Sequence, residues 1–138
     1  MVYSYQMKRF SVWINKKEHL HDSVHKAPLV SEGDVWWAAL GENVGSEVNG
    51  KSDRFSRPVI IFKKLAHGFY FVIPTSTKPK QGSWYVAFRH KGIETVACLH
   101  QARAIDYRRL YGKLGTLDDS DVTAIQNGFK DLYLPMPR

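Results

Sequence analysis

The chain has 138 residues, 43% of them hydrophobic and 13% aromatic, enough to bury one real core and too few for two independent ones. No run approaches the ~20 consecutive apolar residues of a membrane-spanning helix, and residues 1–10, interrupted by Tyr3, Tyr5, Lys8 and Arg9, lack the pattern of a secretory signal, so a cytoplasmic protein is expected. Lys and Arg number 20 against 13 acidic residues, a formal charge of +7, which favours a polyanionic partner because each phosphate neutralised releases condensed counterions. The single cysteine, Cys98, excludes an internal disulfide and reads as a small buried hydrophobe in a reducing compartment.

Within residues 6–21, Phe10, Trp13, Ile14 and Leu20 recur at helical spacing opposite Lys16, Lys17 and Glu18, which predicts an amphipathic helix. Residues 22–32, with Pro28, Ser31 and Glu32, break that period and read as a loop; residues 1–32 thus form an extension ahead of a main domain at 33–138. Five β-type runs follow at 34–40, 58–64, 69–73, 84–88 and 95–99, separated by turn residues with no helix-length pattern between them. Strands joined by short loops imply a mainly β fold with helices, a small, SH3-like, strongly bent antiparallel barrel. A last helix is expected to be capped by Asp118, with Asp121 three residues on, to bury Val122, Ile125, Phe129 and Leu132, and to end at Pro135.

Three neighbouring features carry chemistry: the glycine-rich GENVGSEVNGK at 41–51, the Arg57-Pro58 step, and the hydroxyl cluster PTSTK at 74–78. Singly, each has a bland explanation as a turn, a solvated charge or ordinary loop residues. Together, a flexible loop, a fixed guanidinium and adjacent hydroxyls are what a phosphate-cleaving site needs. Pro58 pushes the backbone of Arg57 towards an extended conformation, and a guanidinium presents a planar fork to two phosphate oxygens while keeping its charge.

The order GDVWWAALGENVGSE, SRPVIIFKK, FYFVIPTSTK and HQARAIDYRRLYGKLGTLDDSDV resembles the MazF/PemK toxins of bacterial type II toxin–antitoxin pairs across roughly residues 33–132. Five motifs stand in the family's order: a GD strand, a G-S-E loop, an R-P-hydrophobic strand, a P-x-T-S-like strand end and a Q-x-R-x-I-D segment before the final helix. The segment with Phe10, Trp13, Lys17 and Leu20 is similar to the N-terminal extension of a PemK-like subgroup. The resemblance implies a metal-independent endoribonuclease without cofactor, in which a 2′-hydroxyl of single-stranded RNA attacks the adjacent phosphorus to leave a cyclic phosphate and a 5′-hydroxyl. It also implies a homodimer and a cognate antitoxin as partner, and no membrane.

On this resemblance Arg57 matches the catalytic arginine, Ser76 falls where the family usually has threonine, and Glu47 matches a loop glutamate that takes the 2′-hydroxyl proton. Thr75 and Thr77 are alternative sources of the hydroxyl, and Glu47 is otherwise a surface carboxylate. Lys51, Lys78, Gln101, Arg103 and His100 complete the expected substrate-binding set, His100 either facing an RNA groove or filling a polar strand position. Residues 51–56 are an insertion relative to the shortest family members. The sequence shows no HxxxH or carboxylate cluster of metal-ligand type.

His19, His21, His67 and His90 read as surface residues. Trp36 and Trp37 alternate along a strand, so one belongs to the core and the other to a partner-facing surface for stacking bases or a second subunit. Arg103, Arg108 and Arg109 extend the positive charge or form a solvated basic face. Two rival readings accompany the nuclease: a nucleic-acid-binding or interaction barrel without turnover, suggested by Ser76, and a poison of DNA gyrase, which needs no phosphate-contacting arginine.

Overall fold

The computed structural model describes residues 8–23 and 26–134. Helix α1, Phe10–Asp22, is followed by strands β1 (Asp34–Ala39), β2 (Ser56–Ala66), β3 (Phe69–Ser76), β4 (Tyr85–His90), β5 (Ile93–Cys98), β6 (Arg103–Asp106) and β7 (Leu110–Thr116), and by helix α2, Asp119–Tyr133. Val59 to Phe62 and Phe69 to Ile73 are β-branched and aromatic, the residues that fit a pleated surface. The β4–β5 hairpin turns on Lys91 and Gly92, both at positive φ (52° and 78°), the geometry that matches the twist of a two-residue connection.

All strand pairings are antiparallel, in the order β4-β5-β3-β2-β1-β7, with β6 also on β3. Strand β3 is the hinge of this arrangement. Phe69 to Val72 pair with β6, while Thr75 and Ser76 pair with β5, so the chain changes neighbours along one strand and the sheet bends there. The mainly β fold with two helices is as the sequence predicts, but the barrel is incomplete. No ladder joins the end strands β4 and β7 among the described residues. The gap is closed by packing instead: a Cβ placed on Gly115 of β7 would lie 3.0 Å from Cε1 of His90 at the tip of β4.

Alternation sorts the sheet residues into two cores. Val59, Ile61, Val72, Trp36 and Ala38 pack on one face with Val30, Tyr70, Ile105 and Leu110, while Ile60, Ile73 and Val35 face Phe88, Leu99, Leu117 and Ile125 on the other. Helix α2 covers this second face with Ile125, flanked by Val122, Phe129 and Leu132. Its Gly128 is a contact rather than a defect, because a Cβ there would stand 2.6 Å from Cγ2 of Val86. Asp118 occupies the cap position, yet its side chain makes no capping bond. The backbone carbonyl of Asp118 accepts from the Asp121 and Val122 amides, both at 3.0 Å, and Asp119 and Asp121 complement the helix dipole. Pro135, the expected terminator, lies outside the described residues.

Helix α1 departs from expectation. The helix begins at Phe10, while the expected start at residues 6 and 7 lies outside the described residues; of the predicted apolar face only Trp13 is buried, with Leu20 half-buried and Phe10 and Ile14 exposed. The cause is a narrow footing: the helix meets the body through Trp13 against Ala39 and Phe55, with Leu20 beside them. No helix among the described residues is long and apolar enough to cross a membrane.

Candidate phosphate-binding groove

Arg57 lies on β2 opposite Ala38 of β1, and two backbone carbonyls fix its guanidinium. Nε donates to Asn49 O at 2.9 Å and Nη1 to Thr75 O at 3.1 Å. An arginine has five N–H donors, so the remaining ones can serve a ligand. Burial is the main influence on this group and lowers its pKa from the ordinary arginine value, with the Cys98 thiol acting in the opposite sense. A partly desolvated cation held by carbonyls, with no carboxylate bonded to it among the described residues, is poised for an anion.

Thr75, Ser76 and Thr77 separate into distinct roles. The Thr75 hydroxyl is spent on structure, donating to Pro58 O at 2.8 Å. Ser76 Oγ accepts from the Lys78 amide at 3.2 Å; Ser76 is buried, and Thr77 is exposed. Ser76 lines two adjoining cavities together with Arg57 and Lys51, one of about 490 Å³ and one of about 260 Å³, so it is the hydroxyl that shares open space with the guanidinium on both sides. Lys51, Lys78 and Lys80 complete the cationic cluster. The ammonium of Lys51 is held below its ordinary pKa by partial desolvation and then by repulsion from Arg57, Lys78 and Lys80.

The groove continues past the 260 Å³ cavity into a third of about 320 Å³, the two sharing Val48, His100 and Gln101. Where they meet, His100 stacks on the exposed Trp84, with ring centroids 5.3 Å apart and planes at 23°, and stands edge-on to Tyr85 at 5.2 Å. Lys80 Nζ lies 5.8 Å above the Tyr85 ring. Burial and the Lys80 charge lower the His100 pKa, against a hydrogen bond with the Trp84 backbone. On the far side, the 490 Å³ cavity is walled by Trp37, stacked on Tyr111 at 6.3 Å and 13°. Arg54 lies over the outer face of Tyr111, 5.0 Å from the ring centroid.

Glu47 is not brought beside Arg57. It is exposed in the loop, its Oε1 accepts from the Val44 amide at 2.9 Å, and it lines the third cavity with Arg103. Gln101 has a role no motif showed: Oε1 accepts from the Val48 amide at 2.9 Å and Nε2 donates to Ser46 O at 3.0 Å, tying the glycine loop to the turn after β5. Arg103 is half-buried, and burial lowers its pKa while Glu47 opposes the shift. Arg109 is lowered to about 10 by burial and by Arg103, against the effect of Asp106, and remains a cation near neutral pH.

The family model of PemK-like, MazF-like toxins of type II toxin–antitoxin systems matches residues 31–133. The chain belongs to this family. No curated protein matches it in sequence, and the likeness to solved members of the family lies in the fold. The crystal structure of MazF from Deinococcus radiodurans superposes with a TM-score of 0.64 at 18% identity, covering 76% of this chain and 96% of that one. An endoribonuclease from a mycobacterial species gives 0.59 at 16% identity over 83% and 100% of the two chains. A mycobacterial endoribonuclease in complex with its cognate antitoxin gives 0.58 at 17% identity over 80% and 100%.

Several groove residues of this MazF-like chain escaped sequence reasoning. Trp84, Tyr85 and Lys80 carry no motif, and only the β4–β5 hairpin brings them to His100. His90, expected on the surface, is half-buried in the wall of the 490 Å³ cavity. Its Nε2 is buried without a hydrogen-bond partner, and burial followed by the Lys91 charge lowers its pKa. The other three histidines expected on the surface, His19, His21 and His67, are exposed. Of the two tryptophans, Trp36 is the buried one and Trp37 the groove-facing one. Cys98 is buried, and burial raises its thiol pKa despite the nearby Arg57 and Lys80. Among the described residues no three His, Cys, Asp or Glu side chains converge as metal ligands do.

Proposed function

We propose that the protein is a metal-independent endoribonuclease toxin that cleaves single-stranded RNA at a phosphate seated between Arg57 and Ser76. The observation that supports this most is the placement of Arg57: a guanidinium fixed by two carbonyls, partly desolvated, with its free donors and the Ser76 hydroxyl bordering the same two cavities. In the proposed step the 2′-oxygen, giving up its proton, attacks the adjacent phosphorus, a 2′,3′-cyclic phosphate forms, and the P–O5′ bond breaks, the departing oxygen taking a proton from water to leave as a 5′-hydroxyl. Arg57 stabilises the charge that builds on the phosphoryl oxygens, and the Lys51, Lys78 and Lys80 ammoniums hold the flanking phosphates. Bases stack on the Trp84–His100 pair, a mode of holding that requires unpaired nucleotides.

Glu47 takes the 2′-hydroxyl proton in this reading, after the turn that carries it swings towards Arg57. The movement requires release of the Gln101 bonds to Ser46 O and the Val48 amide that flank Glu47, while Gly45 has open space around it and the carboxylate itself is bonded to the Val44 amide. Lys51, Gln101, Arg103, Thr77 and Lys78 border the RNA path. A cognate antitoxin with an acidic segment occupies the same cationic groove, and the protein works as a homodimer in the cytoplasm.

The test is incubation of purified protein with a long RNA in EDTA beside an Arg57→Ala variant. Loss of one preorganised donor of this kind costs about 3 kcal/mol, or roughly a hundredfold in rate, so the wild type cuts and the variant nearly does not. Intact RNA in both tubes rejects the enzyme. The position of Glu47 one cavity away favours a second reading, a binding barrel without turnover; salt-sensitive RNA binding with no cut ends in either tube is its result.

A further inference from the structure

We infer that α1 and the turn formed by residues 51–56 act together as a clamp that sets the glycine loop, and through it Arg57, before RNA arrives. Arg9, Trp13 and Phe55 are thus positioning residues for the reaction proposed above, on which this inference rests. Apart from Lys51, neither the extension nor the insertion has a role in the chemistry as written, yet the two are built against each other.

The turn is closed by a reciprocal pair of backbone bonds, Lys51 N to Ser56 O at 2.8 Å and Ser56 N to Lys51 O at 3.0 Å. Inside it Ser52 and Phe55 sit at φ 64° and 52°, a region in which a bulky L residue persists only when its surroundings over-determine it. Phe55 is fully buried, and its carbonyl accepts from the Leu40 and Gly41 amides at 2.8 and 3.0 Å. The Phe55 ring is covered by Trp13 of α1 and by Arg9 just ahead of it, with Ala39 of β1 in the same cluster. Trp13 packs on it at 5.5 Å between centroids, and the Arg9 guanidinium lies 4.5 Å above it. Arg9 also donates to Ser52 O at 2.8 Å and to Asp53 Oδ1 at 3.2 Å, and Lys8 Nζ donates to Asn43 O at 2.7 Å. Gly41, at φ 87°, leaves the room the indole needs, since a Cβ there would fall 2.1 Å from Cε2 of Trp13.

The clamped loop reaches the site directly. Gly50 N donates to Gly41 O at 2.8 Å, Asn49 Oδ1 accepts from the Asn43 amide at 2.6 Å, and Asn49 O receives the Arg57 Nε–H. Lys51, the next cation of the groove, begins the turn. Removing α1 from Phe55 therefore loosens the carbonyl that aims Arg57 and the residue that shares its cavities.

The test uses the full-length protein as wild type, Arg9→Ala, Arg9→Lys and Trp13→Ala, read by amide hydrogen exchange and by RNA cleavage. Arg9 precedes α1 and its side chain is 41% exposed, so Arg9→Ala is expected to keep the fold. The clamp predicts exchange at Gly50, Lys51 and Phe55 about tenfold faster in Arg9→Ala, with β3 and α2 amides unchanged. It also predicts kcat lowered about tenfold with KM held to within roughly twofold, and recovery of most of both effects in Arg9→Lys, which keeps a cation over the ring. Wild-type exchange in the loop of both alanine variants overturns the clamp, and so does a cleavage defect confined to KM. If wild-type protein cuts no RNA, the nuclease reading fails by itself, and loop exchange still decides whether α1 holds the loop.

Discussion

Arg57 and Ser76 owe their relation to one local fact, that β2 and β3 run side by side with Val59 opposite Pro74. The carbonyl of Thr75 orients the guanidinium from the neighbouring strand, and the alternation of β3 sends Thr75 into structure and Ser76 towards the cavities. The two hydroxyls are separable by mutation. Ser76→Ala is expected to lower the cleavage rate by at least about tenfold with little change in Tm, whereas Thr75→Ala, which removes the bond from a buried hydroxyl to the half-buried Pro58 carbonyl, is expected to cost about 1 kcal/mol of stability. Thermal unfolding beside single-turnover rates distinguishes them, and the reverse pattern would move the active hydroxyl to Thr75. Asp34 is the buried charge that the fold depends on. Burial raises its pKa, but the Ser31 amide, Trp36 Nε1, Thr116 Oγ1 and the Lys113 charge outweigh burial and leave it below the ordinary 3.8. With the folded pKa depressed, its stabilisation is complete above about pH 4 and is lost as pH falls through the lower folded value. Asp34→Asn should flatten that acid limb of the stability curve; an unchanged limb would show that other carboxylates set it.

At the level of elements, the parts with strong periodicity were readable and those held by distant partners were not. β1, β2, β3 and α2 announce themselves by branched, aromatic or helical patterning. Arg103 to Thr116 hides two strands because Asp106, Arg108, Arg109, Gly112 and Gly115 interrupt any alternation. β6 exists by pairing with β3 and β7 by pairing with β1, contacts invisible within the segment itself. The hydroxyl cluster, beyond the periodic run at 69–73, is the end of β3, since Thr75 and Ser76 find partners in Ala97 and Val96. Arg57 and the hydroxyls were legible because they lie in ordered motifs; the Trp84 platform and the Gln101 tether were not, because tertiary folding alone assembles them. Gly128 supplies an element-scale test. Alanine there gains about 1 kcal/mol of helix propensity, but the new methyl meets Val86 at 2.6 Å and Leu99 at 3.2 Å, and overpacking costs about 1–3 kcal/mol. The variant is expected to be less stable by about 1 kcal/mol in denaturant unfolding; a stabilised variant would mean that α2 stands further from β4.

Part of the excess charge is gathered along one groove: Lys51, Arg57, Lys78, Lys80 and Arg103 border the connected cavities on the bent sheet. Counterion release from about five phosphate contacts on a single strand predicts an RNA affinity that drops roughly a hundredfold between about 50 and 200 mM salt. Affinity indifferent to salt would remove phosphates from the path. The most direct measurement of the central claim is the chemistry of the cut ends: a long single-stranded RNA incubated with the protein in EDTA, its fragments analysed at both termini. A toxin of this mechanism yields 5′-hydroxyl fragments paired with 2′,3′-cyclic phosphates, absent with Arg57→Ala; uncut RNA, or 5′-phosphate ends made equally by the variant, would contradict it.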